Sequence, residues 1–300
     1  MKFRGCGTAL VTPFRPDGAL DEECFRALVR RQVELGIDFL VPCGTTGESP
    51  TLTREEHLRV VELTIEEAGG KVPVLAGAGG YNTREVIELA REIEKRNADG
   101  ILSVTPYYNK PTQEGLYRHY RAIAEAVPLP VILYSVQSRT GVNLEPATLK
   151  RLAEIDNIIG VKEASGNITQ QAMVLHQVPD DFLVLSGDDA ITIPLIALGG
   201  QGLISVASNQ IPAQMTELVA HALAGDFAAA RRVQRKYLPL MEVNFIESNP
   251  IPVKAAMARM GLLDPVWRQP LCPPSAASEA RIEMVLAAVG LLEGRTAHAG

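Results

Sequence analysis

The sequence predicts an α/β protein, a (β/α)8 TIM barrel with a C-terminal helical extension, and three observations carry that prediction. Up to residue 224, short apolar runs alternate with longer amphipathic stretches, the signature of βαβ construction. Eight such runs are each followed by a helical pattern, and the spacing is that of one βα unit. The runs are also near-continuously apolar, as strands of a parallel sheet buried on both faces must be. A doubly wound open sheet is the competitor. No G-x-G-x-x-G follows the first run, which weakens its dinucleotide-binding form.

Taken in order, the strand-like runs are CGTALV (6–11), DFLVP (38–42), VPVLAG (72–77), GILSVT (100–105), PVILYSV (130–136), IIGVKEA (158–164), FLVLSG (182–187) and GLISVA (202–207). Phe25, Leu28, Val29 and Val33 share one face of a helix near 22–36. Leu58, Val61, Ile65 and Ala68 do so near 54–69, where Thr53 and Glu56 form a capping-box pair. Val86, Ala90 and Ile93 repeat the pattern near 83–97. Later helices are expected near 112–126, 145–155, 168–177, 189–198 and 211–224. The expected division is a catalytic barrel over 1–224 and a helical extension over 225–300. The extension carries helices near 226–246, 251–261 and 276–293, a Pro-rich break at 270–274 and a frayed GRTAHAG end (294–300).

Composition narrows the function classes. The 300 residues are 46% hydrophobic and 21% charged, with a net charge of −6. Without a basic run, a nucleic-acid partner has no electrostatic support. No apolar run reaches the length of a membrane span, and the N-terminal MKFRGCGTALVTPF is broken by Thr12 and Pro13, too early for a signal peptide. Cys6, Cys24, Cys43 and Cys272 never form C-x-x-C and are expected as reduced thiols of a cytoplasmic protein. The five histidines form neither H-x-H nor H-E-x-x-H, so no metal site is expected.

Active sites of such barrels lie at the C-terminal ends of the strands. The sixth run ends IIGVK, which brings Lys162 to the rim, and the fifth places Tyr134 beside it. The second run is followed by GTTGE (44–48), the fourth by TPYYN with Tyr107 and Tyr108, and the fifth by SRTG with Arg139. A lysine attacks a carbonyl only when unprotonated, and an apolar barrel interior disfavours the ammonium. Lys162 can then form a carbinolamine and an imine with a 2-oxo acid, and loss of a neighbouring proton gives an enamine nucleophile. Each residue has a plainer reading. Lys162 could be a buried ion pair with Glu163 or Asp188, Tyr134 a core residue, GTTGE a turn, and Arg139 a solvated charge rather than a carboxylate clamp. Their convergence on one rim favours catalysis.

With those residues in view, the chain resembles the dihydrodipicolinate synthase family of Schiff-base class I aldolases. GTALVTPF (7–14), GTTGE, TPYYNKPTQEGL (105–116), SRTG (138–141), IIGVKEAS (158–165), LSGDD (185–189) and NPIPVK (249–254) carry the likeness over nearly the whole length. The resemblance implies condensation of pyruvate with aspartate 4-semialdehyde in diaminopimelate and lysine synthesis, without cofactor or metal. It implies that Lys162 forms the imine and that Thr45, Tyr134 and Tyr108 relay protons, Tyr108 serving the neighbouring subunit. Thr45 and Thr46 would hold the pyruvate carboxylate, Arg139 that of the semialdehyde, and the backbones of Gly187 and Ile204 the pyruvate end. A homotetramer built as a dimer of dimers is the implied assembly.

Two departures stand out. Where the synthases usually read N-V-P-S-R-T-G after the tyrosine, this chain reads Ser135-Val136-Gln137-Ser138-Arg139-Thr140-Gly141. A serine there also occurs in 4-hydroxy-2-oxoglutarate aldolase relatives, so a sister 2-oxo acid or sialic-acid-type lyase is the second reading and a non-enzymatic binder the third. The bacterial lysine-effector site would map to Ser49, His57, Tyr81, Glu85 and Tyr107. Tyr81 stands where sensitive enzymes commonly carry Asn, which replaces an amide by a ring and implies weak or absent inhibition.

Overall fold

The computed structural model describes residues 2–292; the GRTAHAG end, read as frayed from the sequence, lies outside the described residues. Eight strands pair in parallel: β1 (Gly5–Ala9), β2 (Phe39–Val41), β3 (Leu75–Gly77), β4 (Gly100–Val104), β5 (Val131–Ser135), β6 (Ile158–Glu163), β7 (Leu183–Ser186) and β8 (Gly202–Ser205). They run in the order β2-β1-β8-β7-β6-β5-β4-β3, and a parallel bridge between Leu40 and Val74 joins the two ends into a (β/α)8 barrel. The β2 and β3 strands are shorter than their apolar runs. Pro42 and Pro73 have no N–H for the ladder; they take part only as acceptors, from Gly77 N–H at 2.9 Å and Leu40 N–H at 3.0 Å.

Between the strands lie α1 (Glu22–Glu34), α2 (Arg54–Ala68), α3 (Thr83–Glu94), α4 (Gln113–Ala126), α5 (Gln137–Thr140), α6 (Pro146–Leu152), α7 (Ile168–Gln177), α8 (Thr192–Ala197) and α9 (Pro212–Leu223). The α2 capping box forms as its sequence indicates: Thr53 Oγ1 accepts from Glu56 N–H at 3.2 Å, and Glu56 returns a carboxylate oxygen to Thr53 N–H at 3.0 Å. The apolar stripes also land where their spacing puts them: Phe25 and Val29 of α1 and Val86, Ala90 and Ile93 of α3 are buried in the main core, and Leu28 packs with Val253 and Met257 of the extension. The one-turn α5 is an addition. Four residues are too few to show a 3.6-residue period, so the segment reads as loop in the sequence, yet it carries Arg139.

Alternate residues of each strand point into the barrel, where Phe39, Leu75, Leu102, Ile132, Leu183 and Ile204 form a separate apolar filling. Phe3 plugs the N-terminal end, its ring edge-on to Phe39 at 5.7 Å. One layer nearer the opposite rim, the same alternation places Tyr134 and, by register across β5 and β6, Lys162 beside it. After α9 the chain continues through α10 (Phe227–Val243), α11 (Ile251–Arg259) and α12 (Ala276–Ala288). Val253 and Met257 of α11 pack with Val11 and Val206 at the exits of β1 and β8, so the extension covers part of the catalytic rim.

Candidate active site

A cavity of about 560 Å³ opens at the C-terminal rim, lined by Thr45, Thr46, Tyr134, Arg139, Lys162 and Gly187. Lys162 comes from the end of β6 and is 6% exposed, its Nζ 4.3 Å from the centre of the Tyr134 ring. Burial pushes its pKa from 10.5 down to about 7; the nearby Asp189 carboxylate opposes the shift and the Arg139 guanidinium adds to it. Asp189 is itself fixed by the Ser205 hydroxyl at 2.5 Å and by the N–H groups of Val206 and Ala207.

The ion-pair alternative for Lys162 fails on geometry. Glu163, the next residue on the strand, points to the opposite face, where it accepts from Gln170 at 3.1 Å and Gln171 at 2.8 Å. Asp188 turns its carboxylate to Ala190 N–H at 2.9 Å. Lys162 is thus a buried amine poised to be neutral near physiological pH, which is what imine formation requires.

Tyr134 is buried, which raises its hydroxyl pKa; the Arg139 charge and the nearby Thr45 side chain pull the other way. Tyr134 and Thr45 face the same cavity, which brings the strand-end tyrosine beside the GTTGE loop. Thr46 accepts a 2.9 Å hydrogen bond from the Asn249 side-chain amide, while Arg139 Nη2 donates to the Asn249 carbonyl at 3.2 Å. Gly187 is required by close approach: a Cβ there would stand 2.6 Å from Ala164 Cβ and 3.1 Å from Lys162 Cε.

Two expected site residues do not line the cavity with their side chains, and neither was expected to, Tyr108 being assigned to a neighbouring subunit and Ile204 to its backbone. Tyr108 is 89% exposed, with a left-handed φ of 69°, and does not line the cavity. The Ile204 side chain packs inside the barrel, and the β8 exit meets the cavity at Val206. The departures from the synthase pattern also lie off the cavity. Ser135 faces outward and accepts from Leu144 N–H at 3.3 Å, and Gln137 is an exposed first residue of α5.

A second cavity of about 400 Å³ shares Thr45, Tyr134 and Arg139 with the first and is closed on its far side by Ser49, His57 and Tyr107. Tyr81, Glu85 and Tyr107 line an adjoining space of about 180 Å³, where the two tyrosine rings meet edge-on at 5.1 Å. His57 bonds the Gly77 carbonyl at 2.8 Å, and burial lowers its pKa to about 4, so it is a neutral donor there. Cys43 lies in the wall of this cavity as a buried packing residue; burial pushes its thiol well up. All four cysteines are free, and no group of three His, Cys, Asp or Glu among the described residues could hold a metal ion.

Nothing local in the sequence assigns work to Asn249 or Lys254 of NPIPVK, or to Phe245 and Ile246, which are 46% and 45% exposed at the cavity mouth. The available signal was a lysine in a wholly apolar helix start and an acid ending GTTGE, a pair of charges with no local partner.

Fold and cavity together define the class: a (β/α)8 barrel with a buried, neutralisable lysine at the C-terminal rim, an arrangement suited to imine formation with a carbonyl. Residues 2–289 match the model of the dihydrodipicolinate synthetase family, and the chain belongs to that family. It is 54% identical over 297 residues to the 4-hydroxy-tetrahydrodipicolinate synthase of Koribacter versatilis, covering 99% of each chain. Among solved structures, the dihydrodipicolinate synthase of Thermotoga maritima superposes with a TM-score of 0.95 at 46% identity, covering 97% of this chain and 100% of that one. The chloride-inhibited enzyme of Acinetobacter baumannii, complexed with pyruvate, does so with a TM-score of 0.95 at 44% identity, covering 96% and 99%.

Proposed function

We propose that this chain is a lyase that condenses pyruvate with L-aspartate 4-semialdehyde to 4-hydroxy-tetrahydrodipicolinate, in diaminopimelate and lysine biosynthesis. The observation that carries the mechanism is the buried Lys162 amine, depressed to about 7, beside Tyr134. Neutral Lys162 attacks C2 of pyruvate, and the carbinolamine loses water to an iminium. The iminium draws electrons from C3, which gives up a proton and becomes an enamine carbon. That carbon adds to the aldehyde, whose oxygen takes a proton. The amine of the second substrate then displaces Lys162 from C2 and closes the ring.

The proton transfers fall to Tyr134, with the Thr45 hydroxyl beside it in the same cavity. Thr45 and Thr46 hold the pyruvate carboxylate, and the backbones of Gly187 and Ile204 bound the pyruvate end. Arg139 takes the semialdehyde carboxylate; its exposed position at the cavity mouth suits a charged group of the incoming substrate. Tyr108, projecting from the surface, would complete the relay in a neighbouring subunit, within a homotetramer assembled from dimers. Four free thiols and the biosynthetic relatives support work in the cytoplasm. The division into a barrel over 1–224 and a helical extension over 225–300 belongs to the same reading. Among the described residues, no helix is long and apolar enough to cross a membrane.

The test is a coupled assay with pyruvate and aspartate semialdehyde, reported by the next-step reductase, with Lys162→Ala as control. Turnover that disappears in the variant is expected. A chain that traps pyruvate as a reduced imine but turns over no semialdehyde moves the function to a sister lyase.

A further inference from the structure

The last residue of GTTGE and the last of NPIPVK, 206 positions apart, meet as a fully buried ion pair, both side chains 0% exposed. Lys254 Nζ donates to Glu48 Oε1 at 2.5 Å and to the Thr12 carbonyl at 3.0 Å, and it stands 4.5 Å from the centre of the Phe14 ring. The other Glu48 oxygen accepts Arg268 N–H at 3.2 Å. The Arg268 guanidinium reaches the carbonyls of Gly18 and Thr51 at 2.9 Å, pairs with both oxygens of Glu56, and lies 4.3 Å from the Phe14 ring centre.

This network surrounds the loop that carries Thr45 and Thr46. Glu48 sits at a left-handed φ of 53°, a conformation that a non-glycine residue holds only when its surroundings impose it. Gly47 is pressed against the segment that follows β1: its carbonyl accepts from Thr12 Oγ1 at 2.7 Å, and a Cβ there would meet the Leu10 carbonyl at 3.1 Å. Asn249, two residues before α11, the helix that carries Lys254, holds Thr46 from the other side at 2.9 Å. The segment from Asn249 into α11 therefore holds the loop at Thr46 and at Glu48, on either side of Gly47 and next to the residues that line the cavity.

We propose that Lys254 and Glu48 are positioning residues for substrate: their buried pair, supplied from opposite ends of the chain, sets the GTTGE loop so that Thr45 and Thr46 meet the pyruvate carboxylate. The proposal rests on the reading of that loop as the pyruvate site. An ion pair kept for stability alone has no such need of charge, because a buried pair replaced by apolar side chains of similar volume is often neutral in stability, whereas removal of one partner strands a buried charge. Direction is what the pair adds: Nζ and the carboxylate fix where the loop ends, and apolar packing does not.

The experiment compares the wild-type chain with Lys254→Met, Lys254→Arg and the double variant Lys254→Met/Glu48→Leu. It measures melting temperature, KM for each substrate, kcat, and the rate at which cyanoborohydride traps the pyruvate imine. The double variant is expected to fold and yet to raise the pyruvate KM about tenfold and slow trapping by a similar factor, with the semialdehyde KM within about twofold. Lys254→Arg is expected to recover part of the loss. A folded double variant with wild-type pyruvate KM and trapping rate overturns the proposal. So does a double variant that does not fold, since the pair then serves stability. Wild-type protein that traps no pyruvate refutes the pyruvate reading itself, which keeps the two failures apart.

Discussion

Replacing Lys162 by methionine removes an amine whose pKa burial has driven from 10.5 to about 7, and the consequences for rate and stability have opposite signs. For rate, the depressed value matters because only the free amine attacks pyruvate. At pH 7.5 an ordinary lysine is about one part in a thousand neutral, and one with a pKa near 7 is about three quarters neutral, a gain of several hundredfold in reactive form. For stability the same burial is a penalty. Below pH 7 both folded and unfolded chains hold the proton, and the full penalty applies. Between about 7 and 10.5 the unfolded chain holds a proton that the folded chain has released, so stability rises with pH and the penalty fades. At about 1.4 kcal/mol per pH unit that gap sets a ceiling of about 5 kcal/mol. Lys162→Met is therefore expected to abolish activity and to be more stable than wild type by the largest margin below pH 7, the margin shrinking as pH rises. Denaturant unfolding of both proteins from about pH 6 to about pH 9 checks the stability margin and turnover of the variant checks the loss of activity, while kcat/KM for pyruvate in the wild type should climb about tenfold per pH unit and level near pH 7. A profile that keeps climbing through pH 9, with a stability margin independent of pH, would refute the account of Lys162 as a desolvated amine.

Two other outcomes are expected. Gly187→Ala places a methyl 3.1 Å from Lys162 Cε and 2.6 Å from Ala164 Cβ, so it should fold and lose one to two orders of magnitude in imine trapping by displacing the nucleophile (about 1.4 kcal/mol per decade); trapping at the wild-type rate would show that the amine tolerates the shift. Lysine should inhibit weakly or not at all, because Tyr81 presents a ring packed on Tyr107 and Glu85 is already engaged by Asn82 at 2.8 Å; a titration showing strong inhibition at micromolar lysine overturns this.

What the sequence determined by itself is whatever nearest neighbours along the chain encode. Apolar runs with the right spacing marked all eight strands, and the ends of IIGVK and VILY put Lys162 and Tyr134 at one rim; the register that sets them side by side came from the structure. The Thr53–Glu56 box was legible for the same reason, since a cap involves residues three apart. Tertiary structure alone decided the rest. Whether Lys162 was a nucleophile or half of an ion pair turned on Glu163 facing Gln170 and Gln171 on the far side of the sheet. Whether Ser135 and Gln137 bore on the substrate turned on which way a strand end and a four-residue helix point. The union of Thr46 with Asn249 and of Glu48 with Lys254 spans more than two hundred residues, and no local period or propensity reports it. Such contacts exist only once the barrel has closed, because closing the sheet brings the first strands beside the last and lets α11 descend onto the loop after β2. Periodicity records which face a side chain takes; only the folded chain decides what it meets there.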